Sequence, residues 1–233
     1  MSAFAALLWK EEKALFTSPI AYVVLVVFLG TMGYSFTLTL FLTHAPSLVH
    51  IFYQVFVLFL LMTPVITMRL VAEERKLHTL ELLLTNPVTE TEVIVAKFLA
   101  SLSLIVAMLA LSLAYPVTLA IFGQPDWGPI YSGYLGLFLL GAALVGVGIA
   151  TSSVASNQVV AALLSLSVFL SLWIIDDFGH LLPDPFNALV VNLSLSVHFT
   201  PFATGSLYLS DAGYFVSAAL LGLFLAIRGL ARR

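Results

Sequence analysis

The sequence predicts an all-α polytopic membrane protein with six transmembrane helices, and three observations carry that prediction. Hydrophobic residues make up 61% of the chain and charged residues only 9%, against about 25% charged in an ordinary soluble domain. The apolar residues fall in runs long enough to cross about 30 Å of hydrocarbon as helices. The charge is concentrated: nine of the 21 charged residues lie between Arg69 and Lys97, flanked by apolar runs on both sides. With a mean hydropathy of +1.09, residues 1–233 read as a single transmembrane domain, not a soluble domain with an anchor. The absence of cysteine excludes disulfides, thiolate metal sites and cysteine nucleophiles.

Residues 1–18 form the first element, a short helix expected to lie along the inner membrane surface. Phe4, Leu7, Leu8 and Leu15 share one side, with Glu11 inside that stripe. The charged Lys10–Lys13 stretch precedes an apolar run too long for a signal-peptide core, so no cleavable leader is expected. Ser18-Pro19 starts a helix, a capping serine before proline at the first helical position. Span one follows from about Ile20 to Leu42, and span two from about Leu48 to Leu70, with Pro64 inside it.

Thr89 and Glu92 form a capping box that opens span three, from about Val93 to Phe122. Gly123 to Pro129 is a turn cluster, and span four runs from about Ile130 to Ala150. Ala142, Gly146 and Ala150 recur on its surface every four residues, a face that admits a close neighbour helix. After a polar break at Thr151–Gln158, span five covers about Val159 to Ile175. Residues 176–211 read as an outer segment of two short helices, with starts expected at Asp184-Pro185 and Thr200-Pro201. Asp211 is expected to cap span six, about Ala212 to Leu230.

The basic residues set the orientation. With six spans and both termini inside, all nine Lys and Arg fall on the cytoplasmic side, and the outer segments carry only aspartates. This places the protein in the cell's inner (plasma) membrane. Arg69, Lys97 and Arg228 sit near inner span ends, where they can snorkel to the headgroups.

Catalytic signatures are few. There is no phosphate-binding Gly-rich loop and no HExxH spacing, so the chain is not expected to be an enzyme, and neither catalytic residues nor metal ligands are assigned. No ionisable residue sits near a span centre, which argues against a proton-coupled carrier. Of the histidines, His44, His50, His180 and His198 fall at the outer face and His78 in the inner loop, none placed as facing haem ligands.

The strongest signal is the inner loop, residues 72–92. Residues 72–84 read as a helix with Leu77, Leu80 and Leu84 on one face, ended by Asn86-Pro87. Those leucines can dock in a groove on a cytosolic partner or bury against the inner headgroups; the residues alone leave both open.

The stretch EERKLHTLELLLTNPVTETEVIVAK, Glu73 to Lys97, resembles the loop signature of ABC-2-type transporter permeases. The longer match from Thr67 to Thr89, the opening KEEKALFTSPIAYVV and the HFTPFATG before span six resemble the gliding-motility-associated permeases and their nitrous-oxide-reductase-maturation relatives. His78 departs from the glycine frequent at that position.

The resemblance implies a cytosolic coupling helix between spans two and three. Its coupling residues would be Glu73, Glu74, Arg75, Lys76, Thr79, Glu81, Leu82, Leu83 and Pro87. The implied partners are a separate cytosolic ATP-binding subunit and a second permease copy or paralogue, within membrane lipid. An outer-face accessory protein is a further candidate, and no nucleic acid is expected. No cofactor is implied in this chain; ATP and Mg would be held by the partner subunit. The N-terminal surface helix and the Thr151–Gln158 turn would add contacts. Three readings follow: ATP-driven movement of a substrate, a mechanotransmitting complex that passes motion to an outer-face protein without solute transport, and, from another class, a membrane anchor for a redox enzyme.

Overall fold

The computed structural model describes residues 3–43, 47–77, 79, 88–179, 181–183 and 186–231. Among them are eleven helices and no strand: α1 (Ala3–Phe16), α2 (Pro19–Thr43), α3 (Val49–Thr67), α4 (Ala72–Lys76), α5 (Glu90–Ser112), α6 (Ala114–Phe122), α7 (Trp127–Val154), α8 (Gln158–Gly179), α9 (Phe186–Val191), α10 (Leu195–Thr204) and α11 (Leu209–Ala231). Six segments are long and apolar enough to span a bilayer: α2, α3 with α4, α5 with α6, α7, α8 and α11. The predicted fold class therefore stands.

The helix starts encoded by local hydrogen bonding form as expected. The Ser18 hydroxyl accepts from Ile20 N–H at 3.4 Å, and α2 begins at Pro19. Thr89 Oγ1 accepts from Glu92 N–H at 3.2 Å, while Glu92 Oε2 accepts from Thr89 N–H at 2.7 Å. These are the two reciprocal bonds of a capping box. Asp126 caps α7 through Gly128 N–H at 3.0 Å.

The third span is broken where one helix was expected. Pro116 has no N–H to give the Ser112 carbonyl, four residues back, and its ring crowds that carbonyl. The chain steps at Leu113, and α6 continues to Phe122. In hydrocarbon a bare carbonyl is costly. Here the Tyr134 hydroxyl of α7 donates to Ser112 O at 3.0 Å, so a neighbouring helix supplies what the proline removed.

α7 is the axis of the bundle, contacting α3, α5, α8, α10 and α11. Helices in lipid gain little from burying apolar surface against each other, so close packing must hold them. Gly146 meets this need: a Cβ there would lie 2.7 Å from the Ala219 carbonyl oxygen of α11. Gly222 faces the Gly146 backbone from the other side. Around α7 the rings of Phe28, Phe52, Phe59, Phe199, Phe202 and Phe215 are fully buried. α2, α8 and α11 turn large apolar side chains outward, among them Val26, Phe41, Leu163 and Leu220.

The bundle has two polar ends. One carries α1, α4, the first turns of α5 and the last turns of α7 and α11. The other carries Asp126, Asp176 and Asp211. At that second end two short helices lie between spans five and six as expected, but with different starts. α10 begins at Leu195, capped by Ser194, and Pro201 lies inside it. Ser194 is fixed there because its hydroxyl also donates to Asp176 Oδ1 at 2.9 Å, with Ser196 Oγ on Oδ2 at 3.1 Å. The other expected start, Asp184-Pro185, lies outside the described residues. Asp211 is not a cap either. It is buried within α11, where its carboxylate lies 2.8 Å from His198 Nδ1.

Candidate coupling site

The charged end is built by α4 and what it touches. Ala72–Lys76 is five residues long, too short to persist alone, because nucleating a helix fixes several residues for one bond. Its stability comes from tertiary bonds at both ends. Ser152 of α7 is fully buried, and its hydroxyl accepts from Val71 N–H at 3.3 Å and Ala72 N–H at 3.1 Å. The same hydroxyl donates to Met68 O at 3.3 Å. One serine thus replaces the N-cap that Val71 cannot provide.

Arg75 returns the contact. Its guanidinium donates to Ala155 O at 3.0 Å and to Ser153 O. Those carbonyls lie at the C-terminal end of α7, where the helix has no further N–H to bond them and where positive charge is favoured. The fork of Arg suits two adjacent carbonyls in a way a lysine ammonium does not.

Glu74 points the other way, into a knot of charge. Its Oε1 lies 2.8 Å from Lys97 Nζ and 3.6 Å from Lys10 Nζ. Lys97 Nζ also lies 3.1 Å from Glu11 Oε2, and Lys10 Nζ 2.9 Å from Glu11 Oε1. Two ammonium groups and two carboxylates thus alternate. The Lys97 side chain is 1% exposed, so it does not snorkel to the headgroups as the sequence suggested. A charge so enclosed persists only if paired, and both carboxylates serve that pairing. Burial alone would raise the Glu11 pKa, but Lys97 and Lys10 outweigh it and hold it below the ordinary carboxylate value. Burial likewise pulls Lys10 down, and Glu11 and Glu74 overcome it, leaving its pKa raised.

Apolar contact supports the knot. Leu7 of α1 packs on Val93 and Ala96 of α5, with Phe4 and Leu8 beside them. Glu11 falls on the same stripe one turn later, which explains a carboxylate among leucines: the neighbour it meets is Lys97. Arg69 pairs with Glu73 at 2.7 Å and donates to Ser18 Oγ at 3.3 Å, tying the end of α3 to the α1–α2 junction. A cavity of about 270 Å³ lies beside the knot, between α1, α3 and α5.

Of the coupling residues named from sequence, Glu73, Glu74 and Arg75 are thus engaged within the chain, while Lys76 and Thr79 face outward with Leu77, which is 61% exposed. Glu81, Leu82, Leu83 and Pro87 lie outside the described residues, as do Leu80, Leu84, Asn86 and His78 of the predicted 72–84 helix. Sequence reasoning missed Lys10, Glu11, Lys97 and Ser152 as members of this site. The readable signal was Glu11, since a carboxylate on an apolar stripe needs a cation opposite it.

No curated protein matches the chain. Residues 50–192, from α3 through α9 and including the whole α4 segment, match the family described as ABC-2 family transporter protein. With more than half of its length inside that match and, among the described residues, six helical segments long and apolar enough to cross a membrane, α7 one of them, the chain belongs to the ABC-2 transporter family and is a multi-pass membrane permease subunit of an ABC transporter.

Proposed function

We propose that this permease converts the motion of a separate cytosolic ATP-binding subunit into movement of its spans, with α4 and the residues after it as the receiving element. The observation that carries this reading is the division of labour within α4. Lys76, Leu77 and Thr79 are exposed for a partner, while Glu74 and Arg75 bind α1, α5 and the end of α7. A push on the outer face is therefore passed at once to three other elements, as rigid-body coupling needs. Glu81, Leu82, Leu83 and Pro87 complete the proposed contact. ATP and Mg belong to the partner, which hydrolyses; this chain contributes no catalytic group. Both termini face the cytoplasm of the inner membrane, following the basic residues. Two permease copies share the complex, and the subfamily is that of the gliding-motility and nitrous-oxide-reductase-maturation permeases.

A second reading, a mechanotransmitter that moves no solute, is favoured by one specific observation. Several buried hydroxyls of the spans are spent on backbone carbonyls, Thr67 on Thr63 O at 2.9 Å, Ser101 on Lys97 O at 2.9 Å, and Ser132 on Phe202 O at 2.7 Å, while the Thr63 hydroxyl has no partner among the described residues. They do not line a polar path within one copy.

The test is a pull-down of the tagged protein from its native membrane, with partners identified by mass spectrometry. A cytosolic ATP-binding subunit is expected, and Leu77→Asp should reduce its recovery while leaving the permease folded. An outer-face protein in the same fraction would favour the mechanotransmitter; a redox enzyme without an ATPase would refute both.

A further inference from the structure

A second cavity lies at the charged end, on the opposite side of α4 from the charge knot. It is a cleft of about 920 Å³ between α7, α8 and α11. Its charged groups are Arg75 of α4 and Arg228 in the last turn of α11, with Thr151 and Ser153 beside them in the lining; its walls include Val168, Phe224 and Leu225. Among the described residues no carboxylate lines it, in contrast to the knot, where two carboxylates face two ammonium groups. Among the described residues neither arginine is in an ion pair. Arg75 has only neutral carbonyl partners and a buried Nε–H with none. Arg228 rests over the Phe224 ring at 5.4 Å. Arg232 and Arg233 follow in sequence, outside the described residues.

Two guanidinium groups lining an apolar cleft match one chemistry. The ligand carries a phosphate monoanion or diester at its head and hydrocarbon behind it. The walls are partly exposed, with Phe224 at 54% and Leu225 at 49%, so an acyl chain can lie along them without opening the bundle. We infer that the cleft is a binding site for an anionic phospholipid, held as a resident ligand that neutralises Arg75 and Arg228 and so fixes α4 against the end of α7. The bilayer is the source of the ligand, at the headgroup level that Arg228 occupies. Anionic lipid should then stabilise the α4 contact, and its removal should loosen it.

The placement of this cleft at the inner leaflet rests on the proposed orientation, but the binding itself does not. The two are separable: a cysteine at Asp184 in this cysteine-free chain reports orientation through impermeant labelling of intact cells. The site is tested by native mass spectrometry of the full chain in detergent, titrated with phosphatidylglycerol or phosphatidylcholine of identical acyl chains. Phosphatidylglycerol should bind more tightly. Arg228→Gln should weaken it about five-fold, the effect of one basic side chain near an anionic headgroup, and leave phosphatidylcholine unchanged. Arg228→Lys should keep most of the preference. Leu225→Trp, which fills the cleft without touching charge, should weaken both lipids. Unchanged phosphatidylglycerol binding in Arg228→Gln overturns the inference. So does displacement of the lipid by an equal concentration of inorganic phosphate, which would mean that the head alone is read. A Phe224→Cys chain that cross-links to a second copy across the cleft in native membranes would also overturn it.

Discussion

The Lys97 ammonium lies 2.8 Å from the Glu74 carboxylate, and this contact joins the start of the third span to the short helix that precedes it in the chain. The bond thus holds α4 against the first turns of α5 across 23 positions of the chain. Glu11 and Lys10 complete the arrangement from α1, so three separate elements meet at one buried ammonium.

Removing Lys97 leaves Glu11 and Glu74 close together in a site that water barely reaches. Lys97→Met should destabilise the folded chain by about 3–5 kcal/mol, the cost of breaking a buried ion pair by deleting one partner. Lys97→Met with Glu74→Gln should lose less than the sum of the single changes. Unfolding in detergent, followed by circular dichroism across the double-mutant cycle, measures the difference; strict additivity would show that the two groups do not interact.

Arg75 acts on the end of α7. Arg75→Ala should cost about 2 kcal/mol, the scale of hydrogen bonds to a charged group, and should speed amide exchange in residues 152–157. Arg75→Lys should recover less than half, because one ammonium cannot serve the Ser153 and Ala155 carbonyls as a planar fork does. Full recovery by lysine would assign the effect to charge alone.

Acid should loosen the knot through Glu11. Its pKa in the folded chain lies below the ordinary value of 4.5. Its stabilising contribution is therefore complete above that value and is lost as pH falls through the lowered one. Lys10 shifts upward from 10.5, so its contribution is complete below that value and fades only as pH rises beyond it. Midpoints of thermal unfolding between pH 7 and pH 3 should fall toward the acid end, and Glu11→Gln should flatten part of that fall. An unchanged slope in the variant would remove Glu11 as the titrating group.

The α7–α11 contact can be tested with matched glycines. A Cβ at Gly222 would strike the backbone of Gly146 and Val147, whereas one at Gly213 meets nothing within 4 Å. Gly222→Ala should destabilise by about 1–3 kcal/mol through overpacking. Gly213→Ala should be neutral or stabilising by about 0.5–1 kcal/mol, the helix preference for alanine. Equal effects at both sites would show that the helices are farther apart than described.

What the sequence determined by itself was most of what is governed by bonds between near neighbours or by transfer to lipid, the break at Pro116 excepted. The spans were legible because each hydrophobic run must satisfy its own backbone in hydrocarbon. The starts at Ser18-Pro19 and at Thr89 with Glu92 were legible because their bonds reach only two or three residues ahead. The charged segment around α4 was legible as a place, through its concentration of charge and its resemblance to the family signature. The tertiary structure decided which partner each polar group takes. Asp211 and Pro201 carried the local marks of helix starts, but His198 holds the first inside α11, and the Ser194–Asp176 bond begins α10 ahead of the second. Lys97 carried the mark of a snorkelling residue, yet Glu11 and Glu74 reach it from 86 and 23 positions earlier and pull it inward. A buried charge takes the nearest group that can neutralise it, and distance along the chain does not reveal which group folding will bring near.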